Sequence, residues 1–353
     1  MSNPNNILII RLSSLGDVLM SIPAVIAIRN TYSNARISWL VEGSVSRFLS
    51  YQGFVDGVIE FPRGRIVKAI KNCNFLSAIK EINTFLKKLR RVKYDIIADF
   101  HGIIKSALFT VLAHGARKVG FGKIYAKEKS HLFYDETITA GNKRIHKVER
   151  NMLIARHLGT GKEIPETKLI VPFETEKYIE NFFLDAGISG PVFAVNPFSS
   201  SGSGYKRWNI RHYGELSKKI RDEIGGYVLI LWGPGEKEEA ERAKQIAGDG
   251  TILSCPTDVP QLFALLKKVD MYIGGDTGVM HLAVFAERPV VAIFGPTDVS
   301  INAPYGQNNI IVRKELPCSP CKNKKCQNRK CIEEITIEEV FEAVVKMHKS
   351  VHN

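Results

Sequence analysis

Apolar and polar positions alternate along this chain on two length scales. Short runs that are apolar at nearly every position punctuate the first half: "ILIIRL", "RISWLV", "VDGVIEF", "YDIIADF" and "KVGF". A strand needs such a run when both its faces are covered, as in a parallel sheet. Between the runs, apolar residues recur with helical spacing, most clearly over residues 77–92 and 103–114. The second half repeats the scheme. Strands are predicted at "VFAVNPF", "YVLILWG", "TILSC", "MYIGG", "PVVAIFG" and "NIIVR", and helices at about 209–224, 236–247, 258–268 and 277–286. Alternation of this kind predicts the α/β class with doubly wound parallel sheets. Because it runs through twice, it predicts two Rossmann-like domains, at 1–172 and 173–335, followed by a C-terminal helix at 336–353. The join is expected near "KLIVPFETEK", with Pro172 ending a strand and a short helix leading onward.

Composition narrows the class. The chain has 353 residues, 44% apolar and 24% charged, an ordinary globular balance with enough length for two cores. "MSNPNN" carries no export signal, and no apolar stretch approaches the roughly 18 residues a bilayer span requires. The expected location is therefore the cytoplasm. A formal net charge of +13 predicts an acidic partner: nucleic acid, a phosphorylated small molecule or an anionic membrane surface. Nucleic acid is set aside, since finger spacings with histidines, aromatic-basic RNP stretches and basic heptad helices are all missing. Much of the excess sits in "KKLRRVKY", "GFGKIYAKEKSH" and "GNKRIHKVER", a pattern typical of solvated faces. Cys73 and Cys255 read as small apolar fillers. Cys318, Cys321, Cys326 and Cys331 form C-x2-C-x4-C-x4-C, which in a reducing compartment suggests a structural zinc.

Two stretches carry candidate chemistry. "RLSSLGDVLM" leaves the first strand and breaks at Gly16-Asp17. Asp17 there is either a helix cap or a functional carboxylate at a strand's carboxyl end, where α/β folds place ligands. In "MYIGGDTGVMHLAVFAERPVVAIFGPTD", Asp276 and Thr277 can cap a helix and Gly278 lets a ligand approach its first turn. Free N–H groups and the dipole make that turn a phosphate seat; His281 either reaches the same ligand or is a satisfied packing residue. "FGPTD" forms a second polar lip. "NPFSSSGSGYKRWNIRHYGEL" adds the Ser199 and Ser200 hydroxyls and the Lys206-Arg207 cations, suited to a leaving diphosphate. Glu236, after the Gly-Pro-Gly turn of "LILWGPGEKEEAERAK", is either a ribose acceptor or a helix-start acid. Walker and G-x-G-x-x-G loops are missing, which speaks against ATPases and dinucleotide oxidoreductases. No D-x-D offers carboxylates to a divalent ion.

Taken in order, "SSLGDVLMSIPA", "DFHGIIKSAL", "HKVERN", "KRWNIRHYGEL", "WGPGE", "GGDTGVMHLAVFAERPVVAIFGPTD" and "PYG" resemble the glycosyltransferase family 9 heptosyltransferases over nearly the whole length. The first three are most similar to the branch that adds the first heptose to Kdo (heptosyltransferase I), while the cysteine tail is similar to the branch that adds heptose to heptose. The resemblance implies the GT-B fold, two Rossmann-like doubly wound domains facing across a cleft. It implies an inverting, metal-independent transfer from ADP-heptose to a Kdo-lipid A type acceptor at the cytoplasmic face of the inner membrane, with no cofactor.

The same resemblance implies roles. Asp17 would be the general base and Lys206 would stabilise the diphosphate. Ser199, Ser200, Thr277, Gly278 and His281 would hold the donor, with Asp276 and Glu236 near the nucleoside. Arg11, Ser13, Ser14, Arg63, Lys105, Lys127 and His146 would meet acceptor carboxylates and phosphates, and the positive charge would serve peripheral docking on an anionic leaflet. A heptose acceptor, a GT-B sugar-nucleotide epimerase and a non-catalytic envelope partner are the competing readings.

Overall fold

Twelve strands form in a computed structural model that describes residues 3–200, 202–321 and 323–352. The chain divides into two compact units, Met1–Ile170 and Val171–Asn353. In the first, β1 (Asn6–Ile10), β2 (Arg36–Glu42), β3 (Gly57–Phe61), β4 (Tyr94–Asp99), β5 (Gly115–Phe121) and β6 (Glu136–Ile138) make one sheet in the order β3-β2-β1-β4-β5-β6. In the second, β7 (Val192–Asn196), β8 (Tyr227–Ile230), β9 (Thr251–Leu253), β10 (Met271–Gly275), β11 (Val290–Phe294) and β12 (Asn309–Arg313) follow the order β12-β11-β10-β7-β8-β9. Each recorded pairing is parallel. Among the described residues, no helix is long and apolar enough to cross a membrane.

The apolar runs explain the central strands. Ile7, Leu8, Ile9 and Ile10 are fully buried, as are Phe193, Ala194 and Val195. Each large side chain so buried contributes about 1.5–3 kcal/mol against exposure. Within each sheet, strand order reverses at one place, between β1 and β4 and between β7 and β10. An aspartate holds each of these junctions at its closed end. Asp95 Oδ2 accepts from the N–H groups of Asn5 and Asn6 at 2.7 and 2.9 Å, and Asp270 Oδ2 accepts from Val192 N at 2.7 Å. At the other, carboxyl end the two diverging connections leave a crevice, the usual ligand seat of such sheets.

All eleven strands read from the sequence are present, and two expectations are corrected. The "KLIVPF" stretch contains no strand; Pro172 instead starts a 13-residue helix, Phe173–Asp185, as a rigid φ suits a helix entrance. β6 had no apolar run to announce it, because Glu136–Ile138 is an edge strand of three residues with one buried position.

Candidate functional site

Each unit carries its polar cluster at the reversal point of its sheet. In the first, Arg11 follows β1 and is 4% exposed. Its Nη1 donates to Phe100 O at 2.6 Å and its Nη2 meets Asp17 Oδ2 at 2.9 Å. Lys147 Nζ stands 2.7 Å from Asp17 Oδ1, and Ser14 Oγ donates to Oδ2 at 3.2 Å. The helix-cap reading of Asp17 is thereby corrected: Ser14 occupies the N-cap position of the helix Leu15–Leu19, and Asp17 lies in its first turn facing cations. Burial by itself would raise the Asp17 carboxyl, but the Arg11 and Lys147 charges and the lysine hydrogen bond more than offset it, with Arg150 adding to them. The group sits far below the usual carboxylate range.

The surroundings are strongly positive. Arg150 lies over the rings of Phe121 and Tyr125, 5.3 and 5.7 Å from their centres. Burial and the neighbouring Arg11 lower its pKa to about 10, against the pull of Asp17. Burial likewise lowers Lys127, with Asp17 opposing. His101 Nδ1 accepts from Leu12 N at 3.4 Å, and burial followed by the nearby Arg11 drops the ring to about 3, so it stays neutral. Gly102, at φ +69°, closes the turn after β4 and donates to Asp99 Oδ1. A side chain there would be strained in a left-handed conformation and would press within 3.3 Å of Phe121.

The expected acceptor residues divide into groups. Arg11 and Ser14 touch Asp17, Ser13 lies between them in the chain, and Lys127 feels its charge. Arg63 and Lys105 instead gather on Glu42, at the end of β2, at 3.9 and 2.5 Å. His146 is spent differently: its Nδ1 accepts from Val148 N at 3.2 Å and caps the helix Lys147–His157. With Nδ1 accepting the backbone N–H, the ring's proton sits on Nε2, which leaves that nitrogen as a donor. Lys147, Arg150 and His101 were not singled out from sequence, although "HKVERN" and "DFHGIIKSAL" contain them. The i, i+3 spacing of Lys147 and Arg150 on one helix was the available signal.

In the second unit, a shallow hollow opens between the ends of β7 and β10. Pro197, Phe198, Ser199, Lys206, Arg207, Tyr213, Gly275, Asp276 and Thr277 line it. Lys206 Nζ donates to the Asp276 backbone carbonyl and lies 3.2 Å from Asp276 Oδ2. Thr277 caps the helix Gly278–Phe285, its Oγ1 accepting from Met280 N at 3.3 Å. Gly274 permits the approach of β7: a Cβ there would fall 2.5 Å from the Tyr272 hydroxyl and 3.0 Å from Asn196 O.

Arg207 joins this site more firmly than its sequence position indicated. It donates to Ser199 Oγ at 2.9 Å and Ser199 O at 2.6 Å, and meets Glu236 Oε1 at 3.4 Å. Glu236 turns its other oxygen onto Gly233 N at 2.9 Å and stands at the N-cap of the helix Lys237–Ala247. Burial raises its carboxyl, opposed by the Gly233 hydrogen bond and by Arg207. Ser200 Oγ lies 3.2 Å from Ser203 Oγ, and Ser201 is outside the described residues. Ser200, Gly278, Glu236 and His281 do not line the hollow, and His281 is 4% exposed. The "FGPTD" lip is occupied: Ser319 Oγ and Cys321 N donate to Gly295 O and Pro296 O at 3.2 and 2.8 Å. From the same cysteine segment, Arg329 Nη2 donates to Arg207 O at 2.6 Å. At the cysteine segment, burial raises the Cys331 thiol and the neighbouring Cys321, Cys318 and Cys326 add to it, and among the described residues no group of three His, Cys, Asp or Glu side chains is arranged to hold a metal. Cys326 Sγ is turned to Asn328 O at 3.0 Å.

Known proteins share this fold. Residues 82–332 match the family model described as glycosyltransferase family 9 (heptosyltransferase). Lipopolysaccharide heptosyltransferase 1 of Escherichia coli (strain K12) is 31% identical over 313 residues, covering 87% of this chain and 93% of that protein. A glycosyl transferase family 9 structure from Veillonella parvula superposes with a TM-score of 0.81 at 18% identity, covering 98% of both chains. E. coli heptosyltransferase WaaC with ADP-2-deoxy-2-fluoro heptose superposes at 0.74 and 25% identity, covering 97% of this chain and 99% of that one.

Proposed function

The chain belongs to glycosyltransferase family 9, and from that membership we propose that it transfers a heptose from ADP-heptose to the Kdo region of the lipopolysaccharide inner core. It is a glycosyltransferase whose two parallel sheets make the GT-B fold. The donor comes from the relatives' names, and the acceptor from the heptosyltransferase 1 likeness together with the charge around Asp17. The observation that carries the reading is the lone carboxylate of Asp17 held between Arg11 and Lys147.

In this reading Asp17 takes the proton of the acceptor hydroxyl while that oxygen attacks the anomeric carbon from the face opposite the diphosphate, inverting the centre. A carboxylate pressed down by two cations is a weak base. Acceptor carboxylates and phosphates compete for Arg11, Lys127 and Lys147, and as they draw those cations away the proton affinity of Asp17 rises where the proton must be taken. In the second unit Lys206 exchanges Asp276 for the diphosphate, whose growing charge it stabilises along with the N–H groups opening the helix at Gly278. Lysine and helix dipole then replace a divalent ion, so the reaction proceeds in excess EDTA.

The test is Asp17→Asn, which keeps the shape and removes the base. Transfer falls by about 10²–10⁴-fold while ADP binding stays unchanged. Turnover near the wild-type rate would remove Asp17 from the mechanism, and an anomerically retained product would remove the inverting step.

A further inference from the structure

We infer that the hairpin of helices Arg63–Lys71 and Phe75–Leu89 docks this protein on an anionic lipid bilayer. This deepens the functional reading, since it rests on an acceptor borne by lipid. The hairpin is already satisfied on its inner side. Ile66, Ala69 and Ala78 pack together against Phe61, and Arg65 meets Glu81 at 3.0 Å. Phe85 and Leu89 root the second helix in the sheet's core, the Phe85 ring lying 5.0 Å from Phe61 and 5.3 Å from Phe109.

Six apolar side chains remain outside that packing: Val67, Ile70, Phe75, Leu76, Ile79 and Ile82. Leu76 is 82% exposed and Phe75 60%. A single exposed leucine needs no explanation, but six large ones on one hairpin, none needed to hold it together, mark a contact surface. Charge selects the occupant. Residues 63–91 contain nine Lys or Arg and one Glu, a formal net of +8 out of +13 for the whole chain. A second copy of this surface would meet its own positive charge, and the phosphates of a nucleic acid would leave the aliphatic side chains uncovered. An amphipathic basic hairpin fits the headgroup boundary of an anionic bilayer, its apolar residues entering the interface and its lysines meeting the phosphates. Among the described residues no helix can span, so the contact lies in the surface. Arg63, which faces Glu42 together with Lys105, opens the same hairpin, so docking brings that group to the height of a lipid-borne acceptor.

The experiment is flotation of the full chain with vesicles of phosphatidylglycerol and phosphatidylethanolamine, against phosphatidylcholine vesicles. Wild type binds the anionic vesicles at least about tenfold better. The double variant Leu76→Glu/Ile79→Glu loses that binding about tenfold or more, and Lys68→Glu/Lys71→Glu loses it with retained folding. Transfer to an acylated acceptor in vesicles falls in step, while transfer to the deacylated acceptor is unchanged. Equal binding to both vesicle types, variants that float like wild type, or a dimer that Leu76→Glu dissociates would each overturn the proposal. If wild type glycosylates neither acceptor yet floats as described, the functional reading fails and the docking surface stands.

Discussion

Asp17 and Asp276 each follow a strand that borders its sheet's reversal point, Asp17 after the first strand of its unit and Asp276 after the fourth, and their surroundings differ. Asp17 is outnumbered: Arg11 and Lys147 touch it, and Arg150 and Lys127 feel its charge. Asp276 faces Lys206 in a one-to-one pair beside a helix start. The same topology therefore supports two electrostatic designs. Surplus cations suit a ligand with several anionic groups. A single lysine with a helix N-terminus suits one diphosphate.

Removing the lone lysine breaks this contrast most severely. Lys206→Ala lowers kcat by about 10²–10³-fold, measured by steady-state transfer, because Arg207, the other cation lining the hollow, is held by Ser199 and Glu236. If Arg207 replaced it without loss, the one-to-one description would fail.

Lys147→Met sharpens the other side. Because the Asp17 pKa is depressed in the folded chain, its stabilisation is present above the ordinary carboxylate value and is lost only as pH falls through the depressed one. Deleting one cation moves the Asp17 titration upward. The acid limb of kcat/KM moves up with it, and the acid unfolding midpoint rises, in pH titrations of activity and of circular dichroism. An acid limb that stays put would show that Arg11 alone sets the group.

Thr277→Val has the smallest effect. Losing the cap on Met280 N costs about 1 kcal/mol, read as a lower urea midpoint, with a matching loss of ADP affinity but unchanged acceptor KM.

Strand-by-strand, the apolar runs were a faithful guide because burial on both faces leaves little freedom in residue choice. Edge strand β6 escaped since an edge needs no such run. The motifs led to Asp17, Lys206 and Thr277, and to Arg11, Ser14 and Asp276 beside them, but not to Lys147. Lys147 lies 130 positions after Asp17, and Glu236 turns inward to Gly233 in a way no spacing announces. His146 shows the converse: a residue type suited to anions is used to cap a helix.

From the sequence alone came the two α/β repeats, the ligand-bearing turns and the excess of positive charge, all of which depend on short-range patterns of side-chain type. Tertiary structure decided which cation meets which carboxylate, that the cysteine segment closes on the "FGPTD" lip, and that the basic hairpin leaves six apolar residues in solvent. Those outcomes depend on distances of a few ångströms between residues far apart in the chain. Coulomb and hydrogen-bond energies vary steeply over such distances, and linear order does not encode them.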